Sequence, residues 1–168
     1  MELKYFYKIE DGKLIRGTGF KVPEGFIEYD KDNPPSEFLE LYNEELFNKT
    51  KDEKIKEINN IAQEKIVSGF ISSALGSEHL YQSEPTDQIN LLGVVQDANL
   101  TGDNQFFKCS PDNGQTWEYK EHTPEQITQV LKDGKTIKSA ILEKANELKL
   151  QVNNATTIDE INAVTWDE

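Results

Sequence analysis

A single cysteine, Cys109, and a single arginine, Arg16, occur in 168 residues. One cysteine excludes an internal disulfide. Its place beside Phe107 in an alternating segment reads as a small buried hydrophobe. Basic residues are few, 18 against 31 acidic, for a formal net charge of −13. Such a field repels phosphate backbones and anionic lipid, so neither nucleic acid nor a membrane surface is expected as a partner. No apolar run reaches the roughly 18 residues of a membrane span, and Met1-Glu2-Leu3-Lys4-Tyr5 does not read as a signal peptide. The expected place is a cytoplasm, or a particle assembled there. Internal repeats and low-complexity segments are also missing.

What is present suits a globular chain. Hydrophobic residues make up 36% and aromatics 10%, enough for a core and too much for a disordered chain. The charge is uneven. Residues 1–35 carry 7 acidic and 6 basic residues, whereas residues 66–168 carry 16 and 7. A partner that reads charge would offer lysine or arginine to the C-terminal part, although acidity for solubility alone is the plainer account.

Alternation and turn residues predict strands at 4–9, 20–22 and 26–29. Asp11-Gly12 is the first hairpin turn and Pro23-Glu24-Gly25 a second. Asn33-Pro34-Pro35 breaks the pattern with an extended segment. Ser36 then caps a helix with Phe38, Leu41, Tyr42 and Leu46 on one face. Thr50 and Glu53 have capping-box spacing and predict a second helix, carrying Ile55, Ile58, Ala62 and Ile66. Gly69 ends it. Residues 70–75 and 78–82 flank Gly76-Ser77 as a two-residue hairpin. Pro85 and Asp87 open a helix whose Ile89, Leu91, Leu92, Val94 and Val95 are apolar on almost every side, the pattern of a helix buried all round. Thr123, Pro124 and Gln126 open a long helix, about 124–153. Its apolar stripe (Ile127, Val130, Ile137, Ile141, Ala145, Leu148, Val152) keeps phase through Gly134. Thr157 and Glu160 cap a last short helix ending near Trp166.

Few groups suggest chemistry. His79, Cys109 and His122 could together hold a metal, but no two have the close spacing of zinc motifs, so no metal and no cofactor is expected. His122 reads instead as a strand end just before a helix cap. A cysteine–histidine nucleophilic pair lacks any sign of an orienting third residue, and carboxylate pairs mean little at this net charge. Asp87, Gln88 and Asn90 interrupt the greasy helix. Buried polar groups must be hydrogen-bonded, so these are expected to hold the helix onto the preceding hairpin. Tyr5, Phe6, Tyr7, Phe20, Phe26 and Tyr29 form either a small core or an exposed docking face, since so small a module hides six rings with difficulty.

Ser110-Pro111-Asp112-Asn113-Gly114-Gln115-Thr116-Trp117 resembles the Asp-box of sialidase-type β-propellers. There it marks hairpin tips and recurs about once per blade; here it occurs once. It predicts a well-made turn at 111–114 between strands 105–109 and 116–120, with Asp112 bonding backbone amides across the turn. It does not predict a propeller.

A larger set of residues carries a second resemblance. Gly69 through Ser83, including Tyr81, then Asp87-Gln88-Ile89-Asn90-Leu91, Phe107-Lys108-Cys109, Trp117, Asp133-Gly134 and the closing run to Trp166 resemble a domain of unassigned function. That domain is found in phage and prophage tail-associated proteins. The resemblance covers about 65–168; Tyr81, Asp87, Gln88, Asn90, Trp117 and Trp166 of this set, with Asp112 and Gly114 of the Asp-box turn, are read as structural positions. It implies a role beside tail-fibre proteins and supplies no catalytic residue.

The expected fold is α+β: a small β meander at 1–33, a Pro-Pro linker and connector helix at 34–50, and a C-terminal domain of β-hairpins packed against helices at 51–168. The expected function is non-enzymatic binding of a tail fibre or other tail protein. The chain would act as assembly chaperone or as a tip or adaptor, in the host cytoplasm during assembly or retained in the virion tail. A carbohydrate-binding or carbohydrate-cleaving protein acting on host-surface glycan is the rival. A homo-oligomeric tail component using the 127–152 stripe between subunits is the third reading.

Overall fold

A computed structural model of the chain describes residues 2–166. The fold is α+β, with seven strands and four helices among these residues. They form two compact units: residues 2–54 together with Ala155–Ala163, and Ile55–Asn154 together with residues 164–166.

In the first unit, β1 (Lys4–Glu10) and β2 (Lys13–Gly19) form the expected hairpin. Asp11 and Gly12 take positive φ angles of 52° and 73° at its tip, the twist a two-residue turn needs. The third strand departs from the expectation. Residues 20–22 are not a strand, and β3 (Ile27–Tyr29) crosses back to pair with β1, giving the order β2-β1-β3 rather than a meander. Lining β3 against the central strand brings Tyr29 onto the same face as Tyr5 and Tyr7. Phe6 points to the opposite face, over Gly17. A Cβ at residue 17 would lie 2.8 Å from the Phe6 ring, so only glycine admits that ring.

α1 (Ser36–Val67) is one helix of 32 residues, not two. Thr50 does not cap a new helix. Its hydroxyl donates to the Leu46 carbonyl one turn back, at 2.8 Å, so the would-be cap is spent inside a continuing helix. Phe38 and Tyr42 near its start complete the first unit's aromatic core. Phe38 meets Tyr7 edge-on and Tyr29 at a centroid distance of 4.6 Å, and stacks on Tyr42. Arg16 lies over Tyr42 and donates to Glu45 at 2.5 Å.

The second unit is built from two hairpins and two helices. β4 (Phe70–Ser72) pairs with β5 (His79–Tyr81), and β6 (Gln105–Cys109) with β7 (Glu118–His122). The connection between β4 and β5 is the six residues 73–78, longer than the expected Gly76-Ser77 turn. Gly76 has a positive φ and donates to the Ser73 carbonyl, closing a turn inside that longer loop. Reciprocal backbone bonds between Leu80 and Ser110 join the two hairpins.

α2 (Pro85–Thr101) and α3 (Pro124–Asn154) cover these strands. Both begin as the sequence predicts. Glu84 and Asp87 form a capping box on α2, and Thr123 and Gln126 exchange the same pair of bonds on α3. The core joins Phe70, Tyr81, Leu91, Val95, Phe107 and Val130 with their neighbours. Burying each large side chain of this set contributes about 1.5–3 kcal/mol. The stripe of α3 is buried at Ile127, Val130, Ala145, Leu148 and Val152 within the single chain, so those positions are not open to a second subunit. Thr157 and Glu160 cap α4 (Ile158–Ala163), where Ile161 is fully buried. Trp166 is half-buried. No helix among the described residues is long and apolar enough to cross a membrane.

Candidate functional site

The second unit's ionisable interior is closed. Tyr81 and His122 are both fully buried, and the tyrosine hydroxyl bonds Nε2 of the imidazole at 2.9 Å. Nδ1 of His122 lies 2.8 Å from the Lys120 carbonyl, which accepts but cannot donate. The tautomer follows: Nδ1 carries the hydrogen, and Nε2 accepts from Tyr81. Burial pushes the His122 pKa below its ordinary value and the Tyr81 and Cys109 values up. A neutral imidazole with both nitrogens committed is a structural partner, not a poised base.

His79 reaches the Ser77 carbonyl through Nδ1, leaving a buried Nε2 with no partner among the described residues. His79, Cys109 and His122 lie on β5, β6 and β7. No group of three or more His, Cys, Asp or Glu side chains among the described residues is placed to hold a metal ion.

The Asp-box residues make a turn. Asp112 Oδ1 accepts from the Thr116 amide at 2.7 Å and from the Ser110 hydroxyl at 2.8 Å, and Oδ2 accepts from the Thr116 hydroxyl at 2.6 Å. Bonds to Thr116 come first among the causes that hold its pKa down at about 2. Asn113 and Gly114 take positive φ, and the Gly114 amide donates to Ser110 Oγ. Thr116 and Trp117 belong to this eight-residue loop rather than to β7, because the ladder already closes at Cys109 opposite Glu118. Lys108 sits over the Trp117 ring.

The outer face of the second hairpin presents a different chemistry. The pleat turns Phe107 and Cys109 inward, and Phe106, Lys108 and Tyr119 outward. α2 runs alongside. Contrary to the sequence expectation, it is not buried all round: Leu91, Val95 and Ala98 fill the core, while Ile89 is 68% exposed. Among the described residues, α2 packs against α3 and β6, and its flank carrying Ile89 is left open. Between that flank and the hairpin lies an open groove of about 510 Å³, lined by Ile89, Asn90 and Val94 on one side and Phe106, Lys108 and Tyr119 on the other. Phe106 is 64% exposed and Tyr119 70%. Asp87 and Gln82 stand at its polar end.

The polar triplet of α2 is therefore divided. Asp87 accepts from the Glu84 amide as an N-terminal cap. Gln88 donates to the Ser83 carbonyl at 2.8 Å, fastening the helix to the end of the first hairpin as expected. Asn90 is exposed and lines the groove instead. In the sequence Ile89 reads only as a buried position of α2, and Phe106 and Tyr119 only as strand residues. The available signal was the all-round apolar α2, which a unit of this size has too little structure to cover.

The N-terminal rings are spent mostly on one another. Phe6 and Tyr7 are buried; Tyr5, Phe26 and Tyr29 are half-buried in edge contacts; Phe20 alone of the six is exposed, at 59%. Tyr5, Tyr7 and Tyr29 gather on the face completed by Phe38, while Phe6 pairs with Phe26 on the other, so the six rings form no joint docking face.

No curated protein and no solved structure matches the chain. Residues 49–165 match a family model. On that match the chain belongs to the family described as Domain of unknown function (DUF4376).

Proposed function

We propose that the chain is a non-enzymatic, phage tail-associated binding protein, and that the groove between α2 and the β6–β7 hairpin is where it takes hold of a tail fibre. The carrying observation is one surface: Ile89, Phe106 and Tyr119, each more than 60% exposed, border a single groove. Large apolar side chains gathered at one place, ringed by Asn90, Asp87 and Lys108, mark a protein interaction site rather than ordinary surface. The closed Tyr81–His122 interior supports a binding role, because its polar atoms are used on each other. The phage assignment is supported by the residue pattern of 65–168. Either an assembly chaperone or a tip or adaptor of the fibre would use such a surface, the first in the host cytoplasm and the second on the virion.

Co-expression with a phage tail-fibre protein, followed by affinity capture, tests this reading. Association is expected, and a chain that purifies alone at high fibre concentration contradicts it.

A second reading is favoured by the same lining. Two exposed rings beside Asn90, Gln82 and Asp87 are the pairing of stacking faces with amide and carboxylate groups that a saccharide requires. A glycan array separates the two: a saccharide signal lost on changing Tyr119 would displace the fibre reading.

A further inference from the structure

A second cleft lies on the other flank of α2, where it crosses α3. Its floor is apolar, formed by Phe70, Leu91, Leu92 and Leu131, and Lys135 and Lys138 stand at its rim. The volume is about 160 Å³. An apolar cavity of about 150 Å³ accepts benzene, so this one accepts a single branched aliphatic or aromatic group.

The rim is the unusual part. From residue 66 onward the chain has 16 acidic and 7 basic residues, and five of those seven lysines lie on α3. In so acidic a region, neither Lys135 nor Lys138 has a carboxylate partner among the described residues. Asp133, close by in sequence, has its two oxygens taken by Ser72 and Gln129. Lys138 is held instead by a neutral group: its ammonium donates to Gln88 Oε1 at 2.8 Å, and Gln88 Nε2 donates to the Ser83 carbonyl. The carbonyl can only accept, so the amide's oxygen must face the lysine. This chain of bonds places an ammonium at the cleft mouth without neutralising it. Lys135 is one turn away on the same helix face, and Gly134 and Leu131 continue that face into the floor.

We propose that this cleft binds an apolar group of one side chain's size that carries a carboxylate: the group enters between α2 and α3, and the carboxylate meets Lys135 and Lys138. The charge complementarity is specific to the rim, because the protein as a whole repels anions. Two sources have this chemistry, the C-terminal residue of a polypeptide and a free small acid. The site is distinct from the groove proposed for the fibre and does not depend on it.

The test uses the full chain and two probes. One is a fluorescein-labelled glycine–serine peptide ending in phenylalanine, as free acid and as C-terminal amide, followed by anisotropy. The other is 3-phenylpropionate, followed by amide shifts around Leu92 and Lys135 in NMR spectra. The free-acid peptide is expected to bind, and amidation to weaken it by about tenfold or more, the worth of a charge-assisted bond. Lys135→Gln/Lys138→Gln is expected to lose as much for both probes. Lys132→Gln/Lys144→Gln removes equal charge from α3 outside the cleft and is expected to leave binding intact. Lys132, Lys135 and Lys138 are exposed and Lys144 is half-buried, and thermal unfolding checks that each variant folds. If 3-phenylpropionate binds and the peptide does not, the chemistry stands and the source is a small acid. If the free-acid peptide binds and 3-phenylpropionate binds about tenfold more weakly or not at all, the source is a chain end. Equal binding of acid and amide, indifference to the rim double variant, or no binding of either probe at millimolar concentration overturns the proposal.

Discussion

The hydroxyl of Tyr81 donates to Nε2 of His122 across 2.9 Å, between two side chains with no exposure to solvent. β5 supplies the tyrosine and the last residue of β7 supplies the imidazole. The bond therefore ties the first hairpin to the second at the base of the core. Tyr81→Phe keeps the ring and its stacking on Phe70 but leaves the buried Nε2 without a donor. The expected loss is about 1–3 kcal/mol of unfolding free energy, measured by urea titration.

The same pair makes stability depend on pH. Burial holds the His122 pKa below the value near 6.5 that an unfolded histidine shows. Between those two values the unfolded chain binds more protons than the folded one, so stability rises with pH. Acidifying from neutral pH through about 6.5 and downward should progressively lower the urea midpoint. His122→Asn, less stable at every pH, should show a shallower dependence in that window. An unchanged slope would mean that His122 is not the group responsible.

Two helical glycines should respond to alanine in opposite ways. A Cβ at Gly134 would lie 2.8 Å from the buried Phe70 ring, whereas a Cβ at Gly93 meets nothing within 4 Å. Gly93→Ala should stabilise by about 0.5–1 kcal/mol through helix propensity. Gly134→Ala gains the same propensity but overpacks the core, for a net loss of about 1–2 kcal/mol. Thermal midpoints of the two variants, one up and one down, check this.

Much of the fold was legible because its determinants are local. Asp11-Gly12 at the first hairpin, Thr123 with Gln126 at α3 and Thr157 with Glu160 at α4 each act within four residues. Structure and local sequence signal part where a distant contact decides. Thr50 has a cap's spacing, yet whether a helix starts or continues there depends on what packs on either side. β3 returns to β1 because Tyr29 finds Tyr7 and Phe38, which no nearby residue announces. The groove was hidden for the same reason. α2's sequence says that it is apolar all round, and only the tertiary arrangement says which flank is left uncovered. The rim of the α2–α3 cleft joins Gln88 to Lys138, fifty positions apart.

The Asp112 turn should be acid-resistant. Its carboxyl pKa is lowered to about 2 by bonds from Thr116. Stability from such a group is present above the unfolded value near 3.9 and is lost as pH falls through the folded one. The Thr116 amide should therefore keep its protection from hydrogen exchange at pH values that protonate ordinary carboxylates. Asp112→Ala should expose that amide at every pH, with the rest of β6 and β7 still protected.

The proposed fibre-binding role of the groove is tested most directly by titrating a purified phage tail-fibre protein into the wild-type chain and into Phe106→Ser/Tyr119→Ser, by calorimetry. Both substitutions fall on exposed positions of the β6–β7 face, so the unfolding midpoint should hold. The account predicts saturable binding by the wild type and a loss of tenfold or more in the double variant. Equal affinity for the two chains, or no heat of binding from the wild type, would contradict it.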